Sequence, residues 1–332
     1  MIAKQISFSS QFAAHFEAYI TEKRGSGIKF VAEARRLREI DLFVTASEFT
    51  DSVVTKELFS AWSVKHPNES ESNRVLRVGT LQRFSGYLAR MGYESYLSAA
   101  KFNWHTKEFK AYIFTDDEIG RLLTAAHGIK YNAGSKVRYI VVPMLFTLLA
   151  CTGLRVGEAL SLKRADVSFN GDTAFVFVHS SKYDKDRNLP LATGLSGKLR
   201  KYLIEISIKS PDNDWLFPSP SGQIYSHNSV QNIFGKLLWS AGISYGGRGK
   251  GPRVHDLRHT YSVKALRKLA FNNEDPQRTY HFLSKYLGHK NLSSSQGYIQ
   301  LTAELFPYVV KTMEDYCGHI VPRLEAHNGE SY

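Results

Sequence analysis

The chain has 332 residues, 43% of them hydrophobic, and a formal net charge of +12 at pH 7. This length suggests two domains, each able to bury its own core, and the basic excess favours a polyanionic partner such as nucleic acid. Cys151 and Cys317 are the only cysteines, so neither a disulfide framework nor a Cys-ligated zinc site is supported, and a reducing, cytoplasmic setting is expected. The first residues lack the apolar core of a signal peptide, and the nearly apolar run from Tyr139 to Cys151 is too short to cross a bilayer. A soluble protein without membrane association is expected.

From Gln11 to about Leu97 the apolar residues recur at helical spacing: Phe12, Phe16, Tyr19 and Ile20 share one face, as do Leu37, Ile40 and Val44. Breaks at Gly25-Ser26-Gly27 and His66-Pro67-Asn68-Glu69-Ser70 divide this stretch into about four helices. Arg35, Arg36 and Arg38, then Arg74, Arg77, Arg83 and Arg90, are spaced to present several cations to a phosphate backbone, although a solvated charged face reads equally well. Residues 101–112 read as a connector. Phe114-Thr115-Asp116-Asp117-Glu118-Ile119 then combines a capping box, Thr115 with Glu118, and a hydrophobic staple, Phe114 with Ile119. These features place one helical domain at 1–108 and a second domain at 109–332.

In the second domain, Val137 to Cys151 reads as a helix that Pro143 should kink or whose start it should shift, closed by Gly153. Thr173 to His179 is β-branched and aromatic and reads as a strand. The polar run Ser180 to Asn188 turns the chain, and Leu189-Pro190-Leu191 fits an edge strand. Helical segments follow around Leu195–Ile208, Asn228–Ser240, Leu257–Ala270 and Tyr280–Leu287. The fold class expected is mainly α with a small β-sheet.

Three motifs in this domain carry chemistry: Thr152-Gly153-Leu154-Arg155-Val156-Gly157-Glu158, His255-Asp256-Leu257-Arg258-His259-Thr260, and Leu287-Gly288-His289 followed by Tyr298. Attack on a phosphodiester accumulates charge on the non-bridging oxygens, which preorganised donors must meet. Arginine suits this best, because its planar fork stays charged and holds two oxygens together. A tyrosine hydroxyl has a pKa of about 10 and needs such cations around it to act as a nucleophile. Taken singly, each arginine also reads as structural; Arg155 with Glu158 is a natural i,i+3 ion pair.

Together the motifs resemble the tyrosine recombinase (phage integrase) family, strongly over about residues 140–300 and weakly before 110, where only size and helical character fit a core-DNA-binding domain. The resemblance implies six catalytic residues: Arg155, Lys182, His255, Arg258, His289 and Tyr298. Tyr298 would attack the scissile phosphate, forming a 3′-phosphotyrosyl bond and releasing a 5′ hydroxyl. Arg155 and Arg258 would bind the phosphate oxygens, with His255 and His289 donating further hydrogen bonds and assisting proton transfer. Lys182, in preference to Lys185, would be the general acid of the hairpin, and Glu158 would orient an arginine or a histidine instead of reacting itself. No cofactor or metal is expected.

The implied fold is an N-terminal helical domain and a tyrosine-recombinase catalytic domain that clamp double-stranded DNA. Self-association into a tetramer on two DNA sites is implied as well, and accessory DNA-bending proteins stand as candidate partners. A mobile element is the expected beneficiary. Two other readings remain: a topoisomerase IB-like enzyme that nicks and reseals one duplex, and a non-catalytic DNA-binding regulator of the same fold. Near the nucleophile, Ser293 and Gln296 offer a capping box, while Gly297 weakens any helix carrying Tyr298. Further on, Phe306, Val310, Met313 and Cys317 form a helical stripe.

Overall fold

The computed structural model describes residues 6–99, 111–179, 186–247, 251–271 and 283–288. Its internal contacts separate Met1–Phe109 from Lys110–Tyr332. Among the described residues, no helix is long and apolar enough to cross a membrane.

In the first unit, the helical periodicities resolve into α1 (Ala13–Gly25), α2 (Val31–Thr45), α3 (Lys56–Ser63) and α4 (Glu71–Arg90). Thr55 and Ser70 start α3 and α4 by accepting hydrogen bonds from the backbone N–H of Leu58 and Asn73, which removes one orphan donor at each helix end. The faces anticipated on α1 and α2 meet α4 in an aromatic core. Phe16 and Phe84 lie 4.5 Å apart between ring centroids, with Phe12, Tyr19 and Tyr87 around them. Buried Asp41 accepts the backbone N–H groups of Ser9 and Ser10 and pairs with Arg38, which fixes the chain ahead of α1.

One sequence expectation is corrected here. Arg77 does not face outward toward a phosphate; it is 4% exposed. Its Nε and Nη2 grip the Glu69 carboxylate at 2.8 Å each, and its remaining donors reach the carbonyls of Trp62 and Val64. The helical pattern hid this because Glu69 precedes the helix, where no i,i+4 rule would pair it. Arg74 donates to the Ser63 carbonyl, whereas Arg35, Arg83 and Arg90 are exposed, Arg83 donating to the Thr80 hydroxyl and Arg90 pairing with Glu22.

The second unit is organised around α6 (Arg138–Thr152), which has 12 of its 15 residues buried. A helix apolar on nearly every side must be wrapped by others, and α5 (Asp116–His127), α8 (Thr193–Lys209) and α10 (Val254–Phe271) pack against it. Pro143 does not shift its start, because the helix begins five residues earlier and runs through it. The expected capping box at Thr115 and Glu118 is present on α5. Beyond α6 lie the short α7 (Val156–Leu160) and a three-stranded antiparallel sheet in the order β1 (Val167–Asn170), β2 (Thr173–Val178), β3 (Arg187–Pro190). β1 is not in the sequence reading; it is joined to β2 by a two-residue turn in which Gly171 has φ +58°. β3 is an edge strand, as Pro190 requires. α9 (His227–Ser240) and α10 then follow, and 283–287 is helical.

The Arg77–Glu69 pair is the buried ion pair on which the first unit's α3–α4 corner depends. The Arg77 guanidinium holds the Glu69 carboxyl down to about 2, so the pair's stabilisation is present above the ordinary carboxylate pKa and is lost as pH falls through about 2. Arg77→Met strands the carboxylate and is expected to destabilise the chain by about 3 kcal/mol or more. Urea unfolding at neutral pH tests this, and the difference from wild type should shrink toward pH 2.

Candidate active site

The end of α6 sets the first arginine. Gly153 terminates the helix in the left-handed region, φ +63°, with its N–H on the Leu149 carbonyl, the conformation a glycine adopts without a Cβ penalty. The chain turns through buried Leu154 into Arg155, which is extended and caps α7. Glu158, one turn into α7, reaches back to the Arg155 N–H at 3.0 Å and takes the Arg155 Nη1 at 2.8 Å. The i,i+3 ion pair read from the sequence therefore exists, and it is part of a larger arrangement.

The second arginine comes from the start of α10. Asp256 accepts the Arg253 N–H at 2.8 Å, and the Thr260 hydroxyl joins α10 to the Phe114 N–H at 3.0 Å. This anchors the helix that carries His255 and Arg258. Arg258 is 2% exposed, with Nη1 on the Gly153 carbonyl and Nη2 on the Leu287 carbonyl, both at 2.8 Å.

A third arginine, which the sequence reading did not single out, completes the group. Arg187 opens β3; its Nε donates to the Tyr286 carbonyl at 3.0 Å and its Nη2 to Glu158 Oε2 at 2.9 Å. Arg155 Nη2 takes the Gly288 carbonyl at 2.8 Å. Three guanidinium groups from three parts of the chain thus hold three successive carbonyls, Tyr286, Leu287 and Gly288, where the helical residues 283–287 end. Such carbonyls have no partner within the helix and carry partial negative charge. Gly288 sits at φ +67°, and a Cβ there would lie 2.7 Å from Arg187 Nη1. The signal for Arg187 was strand parity: it lies two residues before buried Leu189, on the inward face of β3.

Glu158 is buried among these cations. Desolvation pushes its carboxyl up, but Arg187 first and Arg155 second outweigh this and leave it below the ordinary value. His255 is exposed, and its ring meets that of His259 edge-on at 4.8 Å. Desolvation lowers its pKa to about 4, aided by His259, Arg258 and Arg253. It is therefore neutral at pH 7, able to donate through one ring nitrogen and accept through the other. Among the described residues, no group of three or more His, Cys, Asp or Glu side chains is placed to hold a metal ion.

The structure therefore brings together Arg155, Arg258 and, one helical turn from Arg258, His255. Lys182, His289 and Tyr298 lie outside the described residues, as do Lys185, the Ser293–Gln296 capping box, Gly297 and the apolar stripe from Phe306 to Cys317.

The model of the phage integrase family matches residues 113–304, more than half of the chain. The chain belongs to the phage integrase family. Membership makes it an enzyme of the tyrosine-type site-specific recombinase class. A Sinorhizobium fredii protein named as an integrase/recombinase, y4rB, is 29% identical to this integrase-family chain over 311 residues, spanning 92% of this chain and 98% of its own. Among solved structures, a post-cleavage complex of the XerH site-specific recombinase bound to palindromic difH substrate aligns with a TM-score of 0.61 at 19% identity, over 90% of this chain and 84% of that one. The Tn1549 transposon integrase in complex with transposon right end DNA aligns with a TM-score of 0.64 at 15% identity, over 91% of this chain and 98% of that one. At these identities the two structures establish a shared, mainly helical fold with a small sheet.

Gly153 is the backbone position on which the Arg155 turn depends. A Cβ there would lie 2.6 Å from the Tyr261 ring, in a conformation L side chains avoid. Gly153→Ala is expected to cost about 1–2 kcal/mol from the left-handed strain alone, with a further loss from the Tyr261 contact, read as a lowered midpoint of thermal unfolding.

Proposed function

We propose that this protein is a site-specific DNA recombinase serving a mobile element, cutting and rejoining duplex DNA through Tyr298. The observation that carries the reading is the convergence of Arg155 and Arg258 on one corner, with His255 one helical turn from Arg258, within a family match that also spans Lys182, His289 and Tyr298. The Tyr298 hydroxyl, passing its proton to a neutral imidazole of His255 or His289, would form a bond to phosphorus at the 3′ side while the 5′ oxygen leaves, taking a proton from Lys182 as general acid. The phosphotyrosyl bond keeps the energy of the broken phosphodiester, so a 5′ hydroxyl can reverse the step on the same or another strand.

Of Arg155 and Arg258, Arg155, with its side chain 38% exposed, is the one open to a phosphate. Arg258 is buried in the free chain, so the reading requires one edge of its guanidinium to be uncovered when DNA binds. His255, neutral at pH 7, donates to a phosphate oxygen, and His289 does the same from the residue after Gly288. The separate first unit and the basic excess of both parts, 16 basic to 12 acidic side chains in residues 1–110 and 27 to 19 beyond, support assigning 1–108 as a core-DNA-binding domain and 109–332 as the catalytic domain. Strand exchange between two duplexes calls for four protomers on two sites. The likeness to a transposon integrase supports the mobile-element role.

A pool of randomised duplexes, each carrying one nick, tests the chemistry without knowledge of the site. Wild type is expected to retain DNA through denaturation in detergent, and Tyr298→Phe to retain none; a covalent product from Tyr298→Phe would remove the assigned nucleophile. On a duplex recovered from this pool, Arg155→Ala should cleave about 100- to 1,000-fold more slowly.

A further inference from the structure

We infer that Arg187 is a positioning residue for the cleavage step: by sharing the Glu158 carboxylate and holding the Tyr286 carbonyl, it keeps the Arg155 guanidinium available to the scissile phosphate. The inference rests on the reading of Arg155 given above and adds to it a residue outside the six that carry the family resemblance.

Exposure separates the roles. The side chain of Arg155 is 38% exposed, against 13% for Arg187 and 5% for Glu158. Arg187 is the more enclosed of the two cations and acts through its neighbours.

The second argument is one of charge. Glu158 faces Arg155 at 2.8 Å and also takes both Arg187 terminal nitrogens, at 3.3 and 2.9 Å. Two guanidinium cations and one carboxylate leave a net charge of about +1 at the open end of the group. Without Arg187, Glu158 and Arg155 form a neutral pair, and both carboxylate oxygens become acceptors for the single remaining guanidinium. A phosphate would then compete with Glu158 for Arg155, weakening the charge complementarity that counts most in the transition state.

The third argument is geometric. Arg187 Nε and Arg155 Nη2 hold the carbonyls of Tyr286 and Gly288, two residues apart. Releasing the Tyr286 end loosens the corner against which Arg155 is set.

The test measures single-turnover cleavage by the full chain on the recovered nicked duplex, with either a normal scissile phosphate or a methylphosphonate, in which a methyl group replaces one anionic oxygen. Arg187→Met is expected to slow cleavage of the normal phosphate about 10- to 100-fold, with DNA affinity near wild type and a melting temperature lowered by the loss of the Tyr286 and Glu158 bonds. On the methylphosphonate, which lacks the charge that Arg155 meets, the deficit should fall to within about 3-fold. Arg187→Lys, restoring the counter-charge without the planar fork, should recover part of the rate. Arg187→Gln keeps a donor without the charge and serves as the second variant should Arg187→Met fold poorly; its deficit should likewise shrink on the methylphosphonate.

Equal slowing on both substrates would show a merely structural role and overturn the inference. A normal rate in Arg187→Met, with Arg155→Ala impaired, would overturn it while sparing the proposed function. A normal rate in Arg155→Ala would overturn both.

Discussion

The catalytic unit depends on a constraint of backbone chemistry: the helical residues 283–287 end inside the protein, and their last carbonyls must find donors there. Buried carbonyls without partners are costly. Here the donors are guanidinium groups brought from the end of α6, the start of β3 and the first turn of α10. Residues separated by more than 130 positions in the chain are thereby tied to one corner. Arginine can do this because its planar fork serves two acceptors at once. Arg258 spans Gly153 and Leu287, and Arg155 spans Glu158 and Gly288.

The same arrangement sets the electrostatics. Two guanidinium groups share the Glu158 carboxylate and a third, Arg258, is held by carbonyls of the same corner, which leaves a positive field; a buried cluster of cations is tolerable only where hydrogen bonds and counter-charge compensate for lost water. Glu158 supplies the counter-charge and the carbonyls supply the acceptors. Partial burial of the ring, together with the neighbouring His259, Arg258 and Arg253, lowers the pKa of His255. The structural and functional readings of these arginines are therefore not competitors. The bonds that fix Arg155 in place also leave it partly open to an anion.

Local signals in the sequence survived wherever one stretch of chain decided the outcome. The capping box at Thr115, the helix stop at Gly153, the β-branched strand from Thr173 and the edge strand at Pro190 all concern groups within a few residues of one another. Readings that depended on distant partners fared differently. Arg77 looked like a surface cation on α4 because its partner Glu69 and the carbonyls of Trp62 and Val64 lie outside the helical pattern. Arg187 passed unnoticed because a charged residue on a four-residue edge strand has no distinguishing local context. β1 escaped for a related reason, since Val167-Ser168-Phe169-Asn170 offers only two apolar residues and is defined by pairing with β2. Of the two effects expected of Pro143, a kink or a shifted start, the shift does not occur, because α6 begins five residues ahead of it and continues through it.

The guanidinium groups at the corner recognise main-chain oxygen atoms, and this divides its mutational tolerance unevenly. An oxygen of the peptide backbone is present whatever side chain a position bears, so the grip itself places no demand on identity at 286 and 287 beyond what core packing imposes. Gly288 and the three arginines have no such latitude. A side chain lost at an arginine removes a grip, and a Cβ gained at 288 collides with one, so tolerance is lowest at the points of contact.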